Sequence, residues 1–267
     1  MPPPLSLTGD GLVEGRDFAG RQSQGAREVQ EDSYGVMPRV EFAGAPDDLF
    51  LVVADGMGGH AAGEVASSLA VQTFAETFLE SGTACDSGRL WDCLEEANRR
   101  IACELESRGD AVQGMGTTLL AVLLRDHSVR WMSVGDSPLY LVRGHELHRL
   151  NRIHSKATEL AEKVQAGEIT EEQARTDPTR HTLLSALIGE AIYDVDDPLP
   201  VELMAGDVLI AATDGIETLT HEEIAAVVSS LQEAEASALA EGLLQAVQSK
   251  QFPKQDNTTV VVVRMPA

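Results

Sequence analysis

The sequence is short of basic residues, cysteine and long apolar segments, and each shortage excludes a class of protein. Its 267 residues include 20 lysines and arginines against 43 acids, which gives a formal net charge of −23. This charge argues against nucleic acid and anionic membranes as partners. The three cysteines form neither a disulfide framework nor a CxxC metal motif, so we expect reduced thiols. The longest apolar runs, such as TLLAVLL, fall far short of a membrane span.

The start of the chain, MPPPLSLTGDG, carries neither the basic stretch nor the apolar stretch of a signal peptide. Together with reduced thiols and an acidic surface, this predicts a soluble cytoplasmic monomer without nucleic acid or membrane partners. The hydrophobic content of 43% is ordinary for a folded protein. We predict a flexible N-terminal tail over residues 1–16 and a single domain over 17–267.

Strand-like segments are concentrated in the middle and near the end of the chain. They are rich in valine, leucine and threonine and are bounded by glycine, aspartate and proline; they cover residues 48–55, 116–125, 128–136, 139–144, 207–214 and 257–265. The second, third and fourth of these segments are joined by short connections. Such connections predict hairpins in an antiparallel meander.

Helical patterns occupy different parts of the sequence, namely residues 62–82, 87–109, 219–231 and 233–250. Capping boxes stand at Thr170-x-x-Gln173 and Thr220-x-x-Glu223. The polar segment 155–182 lacks strong strands and is predicted to be a small inserted flap. Helices and strands that do not alternate regularly indicate an α+β fold with antiparallel sheets.

Two aspartates follow buried strands directly and are each followed by glycine. They are Asp55 in LFLVVADGMGGH and Asp214 in DVLIAATDGIE, and three further acids, Asp32, Asp136 and Asp256, stand at other strand edges. Any one of them alone could be a turn former or a helix cap. Five carboxylates gathered at strand ends would repel one another unless they were protonated or a cation neutralised them. Mg²⁺ and Mn²⁺ prefer oxygen ligands, so the pattern predicts a site for such ions, with two metals as an option.

The motifs taken together resemble the metal-dependent Ser/Thr phosphatases of the PP2C (PPM) family, bacterial type. The segments that carry the resemblance occur in the family's order over residues 18–265: GAREVQEDSYG, VVADGMGGHAAGEVAS, GMGTTLLAVLL, SVGDSPLYLVRG, LIAATDGI and QDNTTVVVVR. The resemblance implies an α-β-β-α sandwich of two antiparallel sheets flanked by helices, with the flap near the site.

The resemblance also implies a set of metal ligands. Asp55 is expected to bridge two Mn²⁺ or Mg²⁺ ions, and the carbonyl of Gly56 to bind one of them. Asp214 and Asp256 are expected to complete the shell of the first ion. Asp136 and Asp214 match the pair that holds a third, weaker ion in bacterial members.

Two predicted catalytic residues come from the segment ahead of the first acidic loop. Arg27 matches the family's phosphate-binding arginine, and a planar guanidinium can hold two phosphate oxygens. Asp32, with Glu31 beside it, matches acids that orient metal-bound waters. The position of His60 beside the expected site permits a role in protonating the leaving group. Eukaryotic relatives, however, place a histidine where this chain has Met57, so the alternative for His60 is a packing role.

The implied reaction is one-step hydrolysis of phosphoserine and phosphothreonine in proteins by a metal-activated water, opposing a bacterial Ser/Thr kinase. The alternatives are a binding or regulatory module that keeps the fold, and a small-molecule phosphatase. Four positions depart from the family pattern, Gln30, Pro138, Ile153 and Ser185. They spare the predicted ligands, so we expect activity.

Overall fold

The computed structural model describes residues 12–42, 45–58, 62–81, 83, 86–125, 127–180 and 182–266. Within them, eleven strands form two antiparallel sheets. The strands are β1 (Phe18–Ser23), β2 (Asp32–Phe42), β3 (Ala45–Met57), β4 (Gly116–Thr117), β5 (Leu119–Arg125), β6 (Ser128–Val134), β7 (Leu139–Arg143), β8 (Glu146–Arg149), β9 (Val201–Glu202), β10 (Val208–Ala212) and β11 (Thr258–Arg264). One sheet has the order β1-β11-β10-β7-β8; the other has the order β2-β3-β5-β6-β9, with β4 paired to β3.

Six α-helices flank the sheets or lie in the flap. They are α1 (Ala62–Glu80), α2 (Asp86–Arg108), α3 (Lys156–Gln165), α4 (Glu171–Thr176), α5 (His221–Ser230) and α6 (Ala236–Ser249). Helices α1 and α2 pack on the six-stranded sheet, and α5 and α6 pack on the five-stranded sheet. The predicted α-β-β-α sandwich is therefore confirmed.

Three apolar layers hold the sandwich together. The central layer lies between the sheets and includes Leu51, Leu209 and Val261. In the layer under α1 and α2, the rings of Phe50 and Phe78 stack with their centroids 3.9 Å apart. Each inner strand is buried on both faces, which explains why these strands are almost continuously apolar.

The predicted meander is wrong at one point. Strands β5 and β6 form a hairpin, and so do β7 and β8, but β6 and β7 belong to different sheets. The connection over residues 135–138 therefore crosses from one sheet to the other. Gly135 has φ +104°, and a Cβ there would lie 2.7 Å from the Thr118 side chain, so the crossing requires glycine.

The flap prediction corresponds to α3 and α4, and α4 begins with the capping box predicted at Thr170. Of the predicted tail, residues 1–11 lie outside the described residues, as does His60. Leu12 is buried, and the carbonyls of Gly15 and Arg16 accept hydrogen bonds from the backbone at the start of α6. The division into tail and domain stays a prediction. No helix in the described ranges is long and apolar enough to cross a membrane.

Candidate metal centre

Four of the five predicted acids line one cleft of about 690 Å³. Asp55 lies near the end of β3, and Asp136 lies in the crossing between the sheets. Asp214 begins a 3-10 helix that follows β10, and Asp256 precedes β11. Four separate chain segments from both sheets thus bring their carboxylates to the same place, as the sequence predicts.

The fifth acid, Asp32, lies behind the cleft rather than in its lining. It is the first residue of β2 and stands opposite Asp55 in the strand register. Its Oδ2 accepts hydrogen bonds of 2.8 Å from the hydroxyls of Thr213 and Thr259, while its buried Oδ1 has no hydrogen-bond partner within the described chain. Burial, reinforced by the nearby Asp214 carboxylate, raises the pKa of Asp32 to about 7.

Burial raises the pKa of several carboxylates that line the cleft. Burial raises the pKa of Asp136 to about 8, and repulsion from Asp214 adds to the effect. Burial, followed by repulsion from Asp214, also raises the pKa of Asp55 well above its usual range. Burial raises the pKa of Glu31 as well, and its Oε1 has no hydrogen-bond partner in the described chain. A cation bound among these groups would relieve this repulsion.

The backbone packing around Gly56 explains why a glycine follows Asp55. Its N–H donates a hydrogen bond of 3.1 Å to the carbonyl of Glu31. A Cβ on residue 56 would lie 2.2 Å from the Gly63 carbonyl oxygen and 2.5 Å from the Glu31 carbonyl oxygen. Only glycine therefore allows the three backbone segments to approach one another at the edge of the cleft.

Arg27 reaches the cleft from the turn that follows β1. Its Nη2 lies 2.5 Å from Oδ2 of Asp256, and its side chain is 51% exposed. Gly25 in the same turn has φ +63°, and a Cβ there would lie 2.4 Å from the Asp256 carbonyl oxygen. The turn is thus packed directly on the segment that carries Asp256. Arg27, the predicted phosphate-binding residue, therefore forms an ion pair with Asp256, a predicted metal ligand.

The donor set suits a hard cation. The described part of the cleft lining contains carboxylates, hydroxyls and backbone groups but no histidine or cysteine, which favours Mg²⁺ or Mn²⁺ over zinc. Within the described residues, however, no three acidic, histidine or cysteine side chains form a closed metal-binding cluster. Asp256 is turned toward Arg27 instead. The residues fit such ions in type and charge, and binding requires their side chains to rearrange.

Sequence reasoning missed three residues that position these acids or the segments beside them, and the first two are Arg149 and Thr118. Arg149, the last residue of β8, donates 2.6 Å from Nη2 to the carbonyl of Asp136 and 2.9 Å from Nη1 to Oε1 of Glu217. Thr118 lines the cleft, and its hydroxyl accepts a 2.9 Å hydrogen bond from the N–H of Asp55. Thr118 lies in the family motif GMGTTLLAVLL, whereas Arg149 lies in none of the motifs that carry the resemblance.

Asn257 was missed as well. Its Oδ1 accepts a 2.8 Å hydrogen bond from the N–H of Glu31, and its Nδ2 donates one of 2.8 Å to the carbonyl of Gln24. The side chain therefore joins both ends of the loop that contains Arg27 to the segment that contains Asp256. In the motif QDN the aspartate is the predicted ligand, but the asparagine makes more of the contacts that fix the loop.

Comparison with known proteins identifies the class of protein. The sequence profile of the family described as Protein phosphatase 2C matches residues 19–255, so the chain belongs to that family. The resemblance given by the motifs is confirmed, and with it the prediction of a protein phosphatase.

Individual relatives agree with this assignment. The serine/threonine phosphatase stp of Listeria monocytogenes is 34% identical over 200 residues, which cover 73% of this chain and 75% of the relative. The crystal structure of the Mycobacterium tuberculosis serine/threonine phosphatase PstP/Ppp has a TM-score of 0.76 and 31% identity, and the match covers 94% of this chain and 98% of that one. The catalytic domain of PstP in complex with two manganese ions has a TM-score of 0.73 and 29% identity, with 93% and 97% covered.

Proposed function

We propose that this protein hydrolyses phosphoserine and phosphothreonine in phosphoprotein substrates with the help of two Mn²⁺ or Mg²⁺ ions. The observation that carries the proposal is the convergence of four carboxylates from four chain segments on one cleft, where burial and repulsion raise the pKa of Asp55 and Asp136. The similarity to a phosphatase domain that binds two manganese ions supports it.

The ligands proposed for the two ions are Asp55, the carbonyl of Gly56, Asp214 and Asp256. Asp136, whose carboxylate lies close enough to Asp214 to be repelled by it, would complete a third site with that residue. When bound, such ions supply a water of lowered pKa and offset the negative charge of the phosphoryl group.

The protein's own side chains bind the phosphate and handle the proton. Arg27 presents a forked guanidinium suited to two phosphate oxygens, but it is paired with Asp256. An ion that recruits Asp256 would release Arg27 for the substrate. Asp32 can hold a proton on its unpartnered Oδ1 directly behind Asp55, with a pKa near neutrality.

The expected counterpart in the cell is a bacterial Ser/Thr kinase, whose products this protein would dephosphorylate. Relatives that are Ser/Thr phosphatases support this expectation. A cytoplasmic monomer remains our prediction for its state.

The test is hydrolysis of p-nitrophenyl phosphate and of a phosphothreonine peptide with Mn²⁺, Mg²⁺ or EDTA. We expect turnover that requires metal and falls about 100-fold or more in Asp214→Ala, because a proposed ligand of two sites is lost. Glu171→Ala removes an exposed acid of the flap outside the cleft and serves as the control with wild-type rates.

Folded wild-type protein that hydrolyses neither substrate with any divalent metal would refute the proposal and leave a phosphoprotein-binding module as the alternative. Turnover restricted to small phosphorylated metabolites in a parallel panel would instead identify a small-molecule phosphatase.

A further inference from the structure

The chain that follows the flap contributes an apolar part to the lining of the cleft. We call Leu184, Ile188 and Tyr193, together with Met57 from β3, the apolar wall. These residues line the same cleft as the carboxylates, so a ligand that extends from the acids along the cleft can contact the wall. The proposed chemistry at the acids makes no use of these side chains.

The backbone of the wall is fixed to the rest of the fold. Leu187 is fully buried and exchanges two backbone hydrogen bonds with Thr117, of 3.0 and 2.9 Å. The N–H of Leu184 donates 2.7 Å to the carbonyl of His154. The N–H of Gly189 donates 2.9 Å to Oδ1 of Asn98 on α2. The segment therefore holds its shape without a ligand.

Ser185, which departs from the family pattern, joins the two ends of the same segment. The hydroxyl of Ser185 donates 2.8 Å to the carbonyl of Asp194 and accepts 3.2 Å from the N–H of the same residue. This pair of hydrogen bonds joins the two ends of the loop that carries Ile188 and Tyr193. A short serine at position 185 thus shapes the wall.

Although their backbone is held, two side chains of the wall face water. Leu184 is 45% exposed and Tyr193 is 83% exposed. Large apolar side chains on a fixed backbone beside a concave site are typical of binding surfaces, because little entropy is lost when a partner covers them. The wall is therefore prepared for an apolar group.

The charges of the lining select among possible groups. Arg27 is the only lysine or arginine among the described residues that line the cleft, against Glu31 and the four aspartates. Since Arg27 is assigned to the phosphate, an acidic side chain beside the phosphorylated residue would meet no further basic side chain in the described lining. An apolar side chain would bury surface against the wall.

We propose that the apolar wall binds a large apolar side chain located within two residues of the phosphorylated serine or threonine. This inference rests on the proposed function and narrows its substrates to phosphoproteins with an apolar flank and few adjacent acids. Leu184 and Tyr193 are the residues that determine this specificity.

The test compares phosphothreonine peptides that differ at one position, with leucine, alanine or glutamate at each of the two positions on either side of the phosphothreonine. For each enzyme variant, kcat/KM is compared between peptides, and p-nitrophenyl phosphate is the reference without a flanking chain. We expect a preference of about tenfold for leucine over glutamate at one or more positions. Tyr193→Ser combined with Leu184→Ser should reduce that ratio to about twofold or less.

The matched control is Leu199→Ser. Leu199 is 82% exposed, nearly the same as Tyr193, but does not line the cleft. Its substitution should leave the leucine-to-glutamate ratio unchanged. Binding of fluorescent peptides that carry a non-hydrolysable phosphonate gives a second readout, in which the ratio of Kd values should follow the same order.

Outcomes for the wall and for the proposed function can be told apart. If p-nitrophenyl phosphate is hydrolysed but leucine and glutamate peptides react within twofold of each other, the apolar wall does not select substrates. The inference also fails if the double variant keeps the wild-type ratio. If no substrate is hydrolysed, the proposed function fails, and the phosphonate peptides still decide whether the wall binds leucine in preference to glutamate.

Discussion

Arg149 connects two of the loops that carry proposed ligands, because it binds the carbonyl of Asp136 and the side chain of Glu217, three residues beyond Asp214. The side chains of Arg149 and Glu217 are 13% and 24% exposed, so the ion pair is largely shielded from water. A hydrogen bond to a charged group contributes about 1.5–3 kcal/mol. Breaking a fully buried pair costs about 3–5 kcal/mol, and partial exposure lowers this figure. For Arg149→Met we therefore expect a loss of about 2–4 kcal/mol in the free energy of unfolding.

Two measurements check this expectation. Urea denaturation monitored by circular dichroism gives the free energy of unfolding, and titration calorimetry with Mn²⁺ gives the metal affinity. The Mn²⁺ affinity should fall along with the stability, because Arg149 no longer connects the loops that contain Asp136 and Asp214. The control is Arg175→Met on the flap, where an exposed pair with Glu172 should contribute less than about 1 kcal/mol.

A stability change within about 0.5 kcal/mol of zero, with unchanged Mn²⁺ binding, would show that Arg149 does not position these loops. Loss of stability with unchanged metal affinity would restrict its role to the fold.

Three further predictions follow from groups around the cleft and in the core. The raised pKa values of Asp32 and Asp136, about 7 and about 8, mean that the folded metal-free protein retains protons that the unfolded chain loses near pH 4. Its free energy of unfolding should therefore fall from pH 4 to 8, and Mn²⁺, which competes with protons for the acids that line the cleft, should raise Tm more at pH 8 than at pH 6; equal shifts contradict this. Gly56→Ala should cost about 1–3 kcal/mol and weaken Mn²⁺ binding in calorimetry, because its Cβ would overlap backbone oxygens. Phe78→Ala should cost about 3–5 kcal/mol in urea denaturation, because it removes the ring stacked under the buried Arg89 guanidinium, 3.7 Å away; a loss below 1 kcal/mol would contradict the packing.

The strands that the sequence predicted are the inner ones, and those that it missed lie mainly at the edges. Segment 116–125 corresponds to β4 and β5, and the five other predicted segments correspond to β3, β6, β7, β10 and β11. In the described sheets β1, β2, β8 and β9 are the edge strands. Edge strands are partly exposed and mix polar residues, glycine and proline with apolar ones, as Gly35 and Pro38 do in β2. Their formation depends on the neighbouring strand rather than on a pattern of their own.

The crossing from β6 to β7 shows a second limit of predicting this fold from its sequence. A short connection is compatible with a hairpin and with a change of sheet, and only the burial of β6 and β7 in different layers decides between them. The acids of the cleft were predictable because each follows or precedes a strand in a recognisable motif. Arg149 and Asn257 act through hydrogen bonds to distant backbone groups, and such contacts leave no local signature.

The cleft takes its acids from both halves of the sandwich: Asp55 from the six-stranded sheet, Asp214 and Asp256 from segments adjoining the five-stranded sheet, and Asp136 from the chain between them. An ion held by all of them would fasten the two sheets together at one edge. Because only the native arrangement collects these oxygens, binding would lower the population of states in which one sheet opens while the other stays folded. Metal supply would then set the lifetime of the folded protein as well as its rate of turnover.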